Sequence, residues 1–317
     1  VAQLNPTGPA TRRYRTVLPL HNLDVPEKYP FQLAPDIFID SVPQSLLNDK
    51  LLERQGAYDL NQLRRCSSAL IIEYQAPALY SSDPDWTGEQ PRTIEARNIE
   101  IAFLVNFSLW VQHPSPAGFT LAFHMPEFDD FIIQASAHHD QFLCHPDDQG
   151  ERIDASDLVR ARKIFTALRL IKRHSAVWTS LRATSIALQL NQEEVRYLLL
   201  WVALEALFGA TSELKFRISQ RIAFFIARDR VEANRVFVDA KKAYDLRSRI
   251  AHGSPWKPDN TSTALVRTTE TILRRSITEI LEERTVDIFT GSNEKRAAFL
   301  DNLVFAKQPY SAPSSGI

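Results

Sequence analysis

Arg247 and His252 stand five residues apart in the run Tyr244-Asp245-Leu246-Arg247-Ser248-Arg249-Ile250-Ala251-His252-Gly253. Gly253 can take the left-handed conformation that closes a helix, and Pro255 blocks any continuation, so His252 falls in a last helical turn. The carbonyl end of a helix carries partial negative charge, which favours an imidazolium there. A histidine that titrates near neutrality beside a permanently charged guanidinium suits proton transfer on a phosphate ester. The same residues also make an ordinary helix C-cap, and one short spacing does not separate the two readings.

The elements that must position this pair precede it in the chain. Leu199-Leu200-Trp201-Val202-Ala203-Leu204-Glu205-Ala206-Leu207-Phe208-Gly209 reads as an apolar helix closed by glycine. Glu213-Leu214-Lys215-Phe216-Arg217-Ile218-Ser219-Gln220-Arg221-Ile222-Ala223 follows, and then a charged helix carrying the Arg–His run. Trp201-x-Ala203-Leu204-Glu205-x-Leu207, then Ser219-x-Arg221-x-Ala223, then Tyr244-x-x-Arg247-Ser248-x-x-x-His252-Gly253 resembles the Apea-like group of the HEPN superfamily. The resemblance spans roughly residues 155–285.

That resemblance implies an all-α bundle that pairs as a homodimer, with RNA as substrate and a role in bacterial anti-phage defence or a toxin-type response. It implies a metal-independent endoribonuclease in which the RNA 2′-hydroxyl attacks the adjacent phosphate, leaving a 2′,3′-cyclic phosphate. On it, Arg247 neutralises charge on phosphorus and His252 transfers the proton. No metal or other cofactor is expected, because a bidentate guanidinium can stabilise the transition state. Many ribonucleases of the superfamily carry Asn, Asp or His after the arginine. Ser248 stands there instead, able to hydrogen-bond a phosphate but a poorer acid or base. A non-catalytic module that binds RNA, a nucleotide or a protein partner is the alternative, and a purely structural dimerisation domain is a third.

Geometry restricts the site further. Positions i and i+5 on a straight helix differ by about 140° in azimuth. Arg247 and His252 therefore converge only if the helix loosens or a second subunit supplies one of them. Arg249, three residues before His252 and on its face, is the other candidate for the basic role. Tyr244 either stacks on the Arg247 guanidinium or a base, or packs in the core. Glu205, inside an apolar helix, needs a cationic partner, and an arginine of the motif helix is the obvious one. Arg217, Arg221 and Arg228 could form a phosphate-contacting stripe on one helix, or a solvated face.

His138-His139-Asp140 with Cys144-His145 gathers metal-capable side chains, but at no recognised ligand spacing. There is no glycine-rich phosphate loop, no Gly-x-Ser-x-Gly and no His-Glu-x-x-His, which removes support for nucleotide hydrolysis, serine hydrolysis and zinc proteolysis. The two cysteines are far apart and the opening residues match neither a signal nor a transit peptide, so the cytoplasm is the expected compartment and no membrane partner is expected.

The net charge of −1 hides an asymmetry. Residues 1–150 hold 10 Lys+Arg against 19 Asp+Glu, and residues 151–290 hold 24 against 17. A basic half fits an anionic partner, or the two halves attract each other. The expected fold is an α+β domain over 1–150, a helical HEPN-like bundle over 151–290 and a tail over 291–317, either disordered or used for contacts. Residues 1 to about 16 read as a mobile arm, and the first domain as a sensor that binds a trigger and covers the basic groove with its acidity. Strands are expected within Phe31–Val42, Ser67–Tyr74, Gly118–His124 and Phe131–Ala137. Residues 80–92 read as a loop, and 93–112 as helix or strand. Helices are expected from Asp154, over 176–188, from an Asn191/Glu194 capping box to Phe208, from Thr211 to 228, over 231–252 and over 262–284.

Overall fold

A computed structural model describes residues 11–23, 30–47, 61, 63–77, 90–114, 117–126, 134–141, 153–210, 212–282 and 285–306. It divides into two compact units, Val1–Phe142 with Asp148–Phe165, and Leu143–Asp147 with Thr166–Ile317. An antiparallel sheet with helices is followed by a run of helices, as the sequence leads one to expect.

The first unit holds β1 (Thr11–Leu20), β2 (Phe31–Ala34), β3 (Ile37–Ser41), β4 (Ser68–Pro77), helix α1 (Gln90–Gln112), β5 (Gly118–Pro126) and β6 (Gln134–Gln141). The strands pair antiparallel in the order β2-β3-β4-β1-β5-β6. The expected mobile arm is therefore wrong from Thr11 onward. Residues 11–16 belong to a central strand, held by β4 along its whole length and by β5 from Tyr14. The arginines at 12, 13 and 15 disguise it, but Tyr14 between them is buried and Thr16 through Leu20 after them are buried on both faces. α1 settles the ambiguous stretch as helix. Asn98 on α1 donates to Thr16 Oγ1 at 2.8 Å, and His124 Nδ1 lies 2.9 Å from the same oxygen, tying α1, β1 and β5 through buried polar groups. Residues 80–89 of the expected loop lie outside the described residues.

Helix α2 (Ala155–Leu168) starts where Asp154 accepts from the backbone N–H of Ser156 and Asp157 at 2.7 and 2.9 Å, the cap expected of it. The unit boundary falls inside α2, so most of this helix goes with the sheet, beyond the sequence boundary at residue 150.

The second unit holds α3 (Ala176–Gln189), α4 (Glu193–Phe208), α5 (Leu214–Ile226), α6 (Arg230–Ala251), α7 (Asn260–Glu282), the single turn α8 (Val286–Phe289) and α9 (Asn293–Phe305). The Asn191/Glu194 capping box does not form. Gln192 is the N-cap and its side chain makes no capping bond, so Asn191 sits one position too early. At the other end Gly209 closes α4 for a steric reason: a Cβ there would come 2.6 Å from the Glu205 carbonyl oxygen. Of the two expectations for the tail after Gly291, contacts rather than disorder hold over residues 293–305. Ser292 caps α9, and Arg296 and Leu300 bury against the bundle.

Because β1 bridges both halves of the sheet, deleting residues 1–16 should unfold the first unit. Hydrogen exchange is expected to show loss of amide protection in β4 and β5. Retained protection there would mean that β1 is dispensable.

Candidate functional site

The motif helix ends as its sequence requires. Gly253 takes φ +84, the Gly253 N–H donates to the Ile250 carbonyl and the Ser254 N–H to the Arg249 carbonyl, both at 2.9 Å. These are the paired bonds of a Schellman closure, with His252 as the C-cap. His252 is exposed, and its backbone N–H donates to the Ser248 carbonyl at 3.0 Å. Ser248 is half-buried.

Arg247 points elsewhere. Its Nη2 lies 3.0 Å from Glu205 Oε1 and 3.2 Å from Oε2, of which the second has hydrogen-bond geometry. Its guanidinium carbon sits 5.5 Å from the centroid of the Tyr244 ring, and Tyr244 packs edge-on to Trp201 at 5.1 Å. Tyr244 thus fulfils both readings, being buried and stacked under the arginine. α4 presents Tyr197, Trp201 and Glu205 four residues apart, and each meets α6: Tyr197 donates to the Ala243 carbonyl at 2.6 Å, Trp201 meets Tyr244, and Glu205 meets Arg247. The partner expected for Glu205 is found.

Burial raises the Glu205 carboxyl above the ordinary carboxylate range, and Arg247 opposes that rise. Glu205 and Arg247 are 27% and 25% exposed, enough for solvent or a ligand to reach the pair.

The arginine stripe does not form. Arg217 is exposed and 3.5 Å from Glu213. Arg228 lies past the end of α5, in the turn before α6. Arg221 is 4% exposed and wholly occupied. It donates to the Phe208 carbonyl at 3.2 Å, to the Gly209 carbonyl, and to Asp301 at 2.9 and 3.1 Å. Its role is to close the last carbonyls of α4 and hold α9, not to bind phosphate.

A recess of about 310 Å³ opens beside the last turn of α6, lined among others by Arg249, Ile250, Trp256 and Lys257. Arg249 is exposed and faces this recess, while Arg247 does not line it. The motif alone does not point to Trp256 and Lys257, although an aromatic and a cation directly after His-Gly-Ser-Pro are there to be noticed.

The metal-capable run falls outside the described residues: the backbone of His138, His139 and Asp140 is in β6, but their side chains, and Cys144 and His145, are not described. Among the described residues no three His, Cys, Asp or Glu side chains gather as a metal site, and no helix is long and apolar enough to cross a membrane. In the sheet unit, Cys66 Sγ lies 3.2 Å from His21 Nδ1, while His21 Nε2 lies 2.8 Å from Thr120 Oγ1. Burial pushes the thiol up to about 12 and the His21 pKa down, so the pair is a buried neutral hydrogen bond rather than an activated nucleophile. Searches against protein-family models, curated proteins and solved structures found no match to this chain.

Two predictions come from these contacts. Replacing Arg247 by Ala leaves Glu205 without its cation. The R247A, E205A and double variants should show a coupling of about 1–2 kcal/mol in urea denaturation. A carboxyl whose folded pKa is raised contributes stability that is full below the unfolded pKa and lost as pH rises through the folded one. R247A raises Glu205 further, so its deficit should be largest near neutrality and shrink on acidification. Additive losses with no pH dependence would show that the bridge stabilises nothing. For Arg221→Ala, the expected loss is about 3 kcal/mol, with faster amide exchange across residues 293–305, and Arg221→Lys should not restore it because the forked geometry is gone. Unchanged exchange in α9 would remove the structural role.

Proposed function

We propose that the helical unit cleaves RNA as a metal-independent endoribonuclease of HEPN type, with Arg247 and His252 as its reacting groups. The observation that supports this most is the end of α6: a partly exposed arginine held in orientation by Glu205 and Tyr244, followed by an exposed histidine at the cap. His252 takes the proton of the 2′-hydroxyl as its oxygen bonds to phosphorus. The bond from phosphorus to the 5′-oxygen breaks, and that oxygen receives a proton from an imidazolium. Arg247 balances the charge of the pentacoordinate phosphate. Along one helix the two residues are about 7.5 Å apart in rise and about 140° apart in azimuth. A groove between two copies of the chain would bring Arg247 of one to His252 of the other, so the active form is proposed to be a homodimer. The proposed compartment is the cytoplasm, where RNA is at hand.

The second reading is a module that binds RNA without cleaving it. The Glu205 contact favours this reading, because it already offsets the Arg247 charge, and so does Ser248 at the position of a second acid or base.

The test is incubation of the protein with mixed RNA in EDTA, beside His252→Ala. Cleavage by the wild type, with cyclic phosphate at the 3′ ends and a loss of about 10²-fold or more in the variant, is the expected result. Binding without cleavage would decide for the module, and equal cleavage by the variant would remove His252 from the site.

A further inference from the structure

The cations of the helical unit differ in what they hold. Arg196 is paired with Glu270 at 2.9 Å, Arg221 with Asp301, Arg275 with Glu232 at 2.8 Å, and Arg247 with Glu205. Arg249 and Lys257 are exposed and make no ion pair or side-chain hydrogen bond among the described residues, yet both line the recess. The recess is also lined by Leu246, Ile250 and Leu265, and by Trp256, half-buried with its ring 6.3 Å from that of Tyr197. The one carboxylate of the lining, Asp259, is committed to the start of α7. It accepts the Ser262 N–H at 2.7 Å, while its own N–H donates to Ser262 Oγ at 2.9 Å. Asp259 still interacts with the Arg249 charge, but without an ion pair. An aromatic ring, apolar side chains and two cations held by no ion pair match a planar base joined to a phosphate.

We infer that this recess is a nucleotide subsite of the RNA surface, taking one base against Trp256 and an adjoining phosphate on Arg249 and Lys257. The inference rests on the reading of the chain as acting on RNA. Arg249 leads one helical turn later to His252, so a strand seated in the recess passes the cap histidine. Arg249 and Lys257 thereby hold the strand, and Trp256 sets how strongly the flanking base is gripped. Base stacking tolerates every base, so the subsite selects single-stranded RNA rather than a sequence.

The experiment uses the full chain and a fluorescein-labelled single-stranded 2′-O-methyl RNA, which lacks the attacking hydroxyl and so reports binding alone. Trp256→Ala should weaken binding about ten-fold, and Trp256→Phe should restore most of it. Arg249→Ala with Lys257→Ala, two surface changes, should flatten the dependence of log affinity on log salt by about 0.7 for each phosphate no longer neutralised. An excess of ATP should not displace the strand. If the wild type binds and cleaves RNA while these variants bind with its affinity and salt slope, the subsite is wrong and the ribonuclease reading stands. If the wild type neither binds nor cleaves RNA, the reading fails and the subsite with it. Displacement by equimolar ATP would make the recess a free-nucleotide site and overturn the strand assignment.

Discussion

Glu205 is the one ionisable carboxylate in the apolar run from Tyr197 to Phe208, and its only charged partner among the described residues is Arg247. Burial raises the carboxyl pKa, so the ionised form is tolerated only because a guanidinium answers it. That requirement fixes the register of α6 against α4. With Glu205 on Arg247, Trp201 falls on Tyr244 and Tyr197 on the Ala243 carbonyl, one turn at a time. A slip of one residue along α6 would rotate Arg247 about 100° away and leave the carboxylate unpaired. The bridge therefore decides which residues of the motif helix face inward and which remain for solvent. Arg247 is turned toward α4, while Arg249 lines the recess and His252 is exposed at the cap.

The excess of basic residues in the second half sorts by the same logic. Arg196, Arg221 and Arg275 each reach a carboxylate on another helix, and Arg221 and Arg275 also reach backbone carbonyls. These side chains hold helices together, and their charge is neutralised locally. A count of Lys and Arg cannot distinguish such residues from those that remain for a ligand. Arg249 and Lys257 are among those that make no ion pair, and they lie together beside one helix end rather than along α5.

Helix ends and periodic helices were legible from sequence because their causes are local. Gly253 and Pro255 mark the end of α6, Asp154 the start of α2, and the single carboxylate among apolar residues named its partner helix. Apart from the Asn191 cap, placed one position early, what failed depended on tertiary context. β1 carries three arginines in its first half, and only the strands on either side explain why Tyr14 and Thr16 lie buried there. Arg221 reads as a solvent-facing cation until Asp301, eighty residues away, and the open carbonyls of Phe208 and Gly209 are seen around it. Trp256 and Lys257 lie in a connection with no periodicity, where sequence pattern carries no directional signal.

The separation between Arg247 and His252 bears on which reading of the site is physically economical. A single helix cannot aim both at one phosphate, since its backbone bonds keep their azimuths apart up to the Schellman closure at Gly253. Loosening the helix to bring them together would break the closure and the Glu205 contact at once. Bringing in a second copy breaks neither. On the proposed reading it would set the oriented arginine of one chain against the exposed histidine of the other. If the proposed chemistry holds, catalysis across two chains would ask less reorganisation of this helix than catalysis within one, and preorganisation of that kind is where most of the stabilisation of a charged transition state originates.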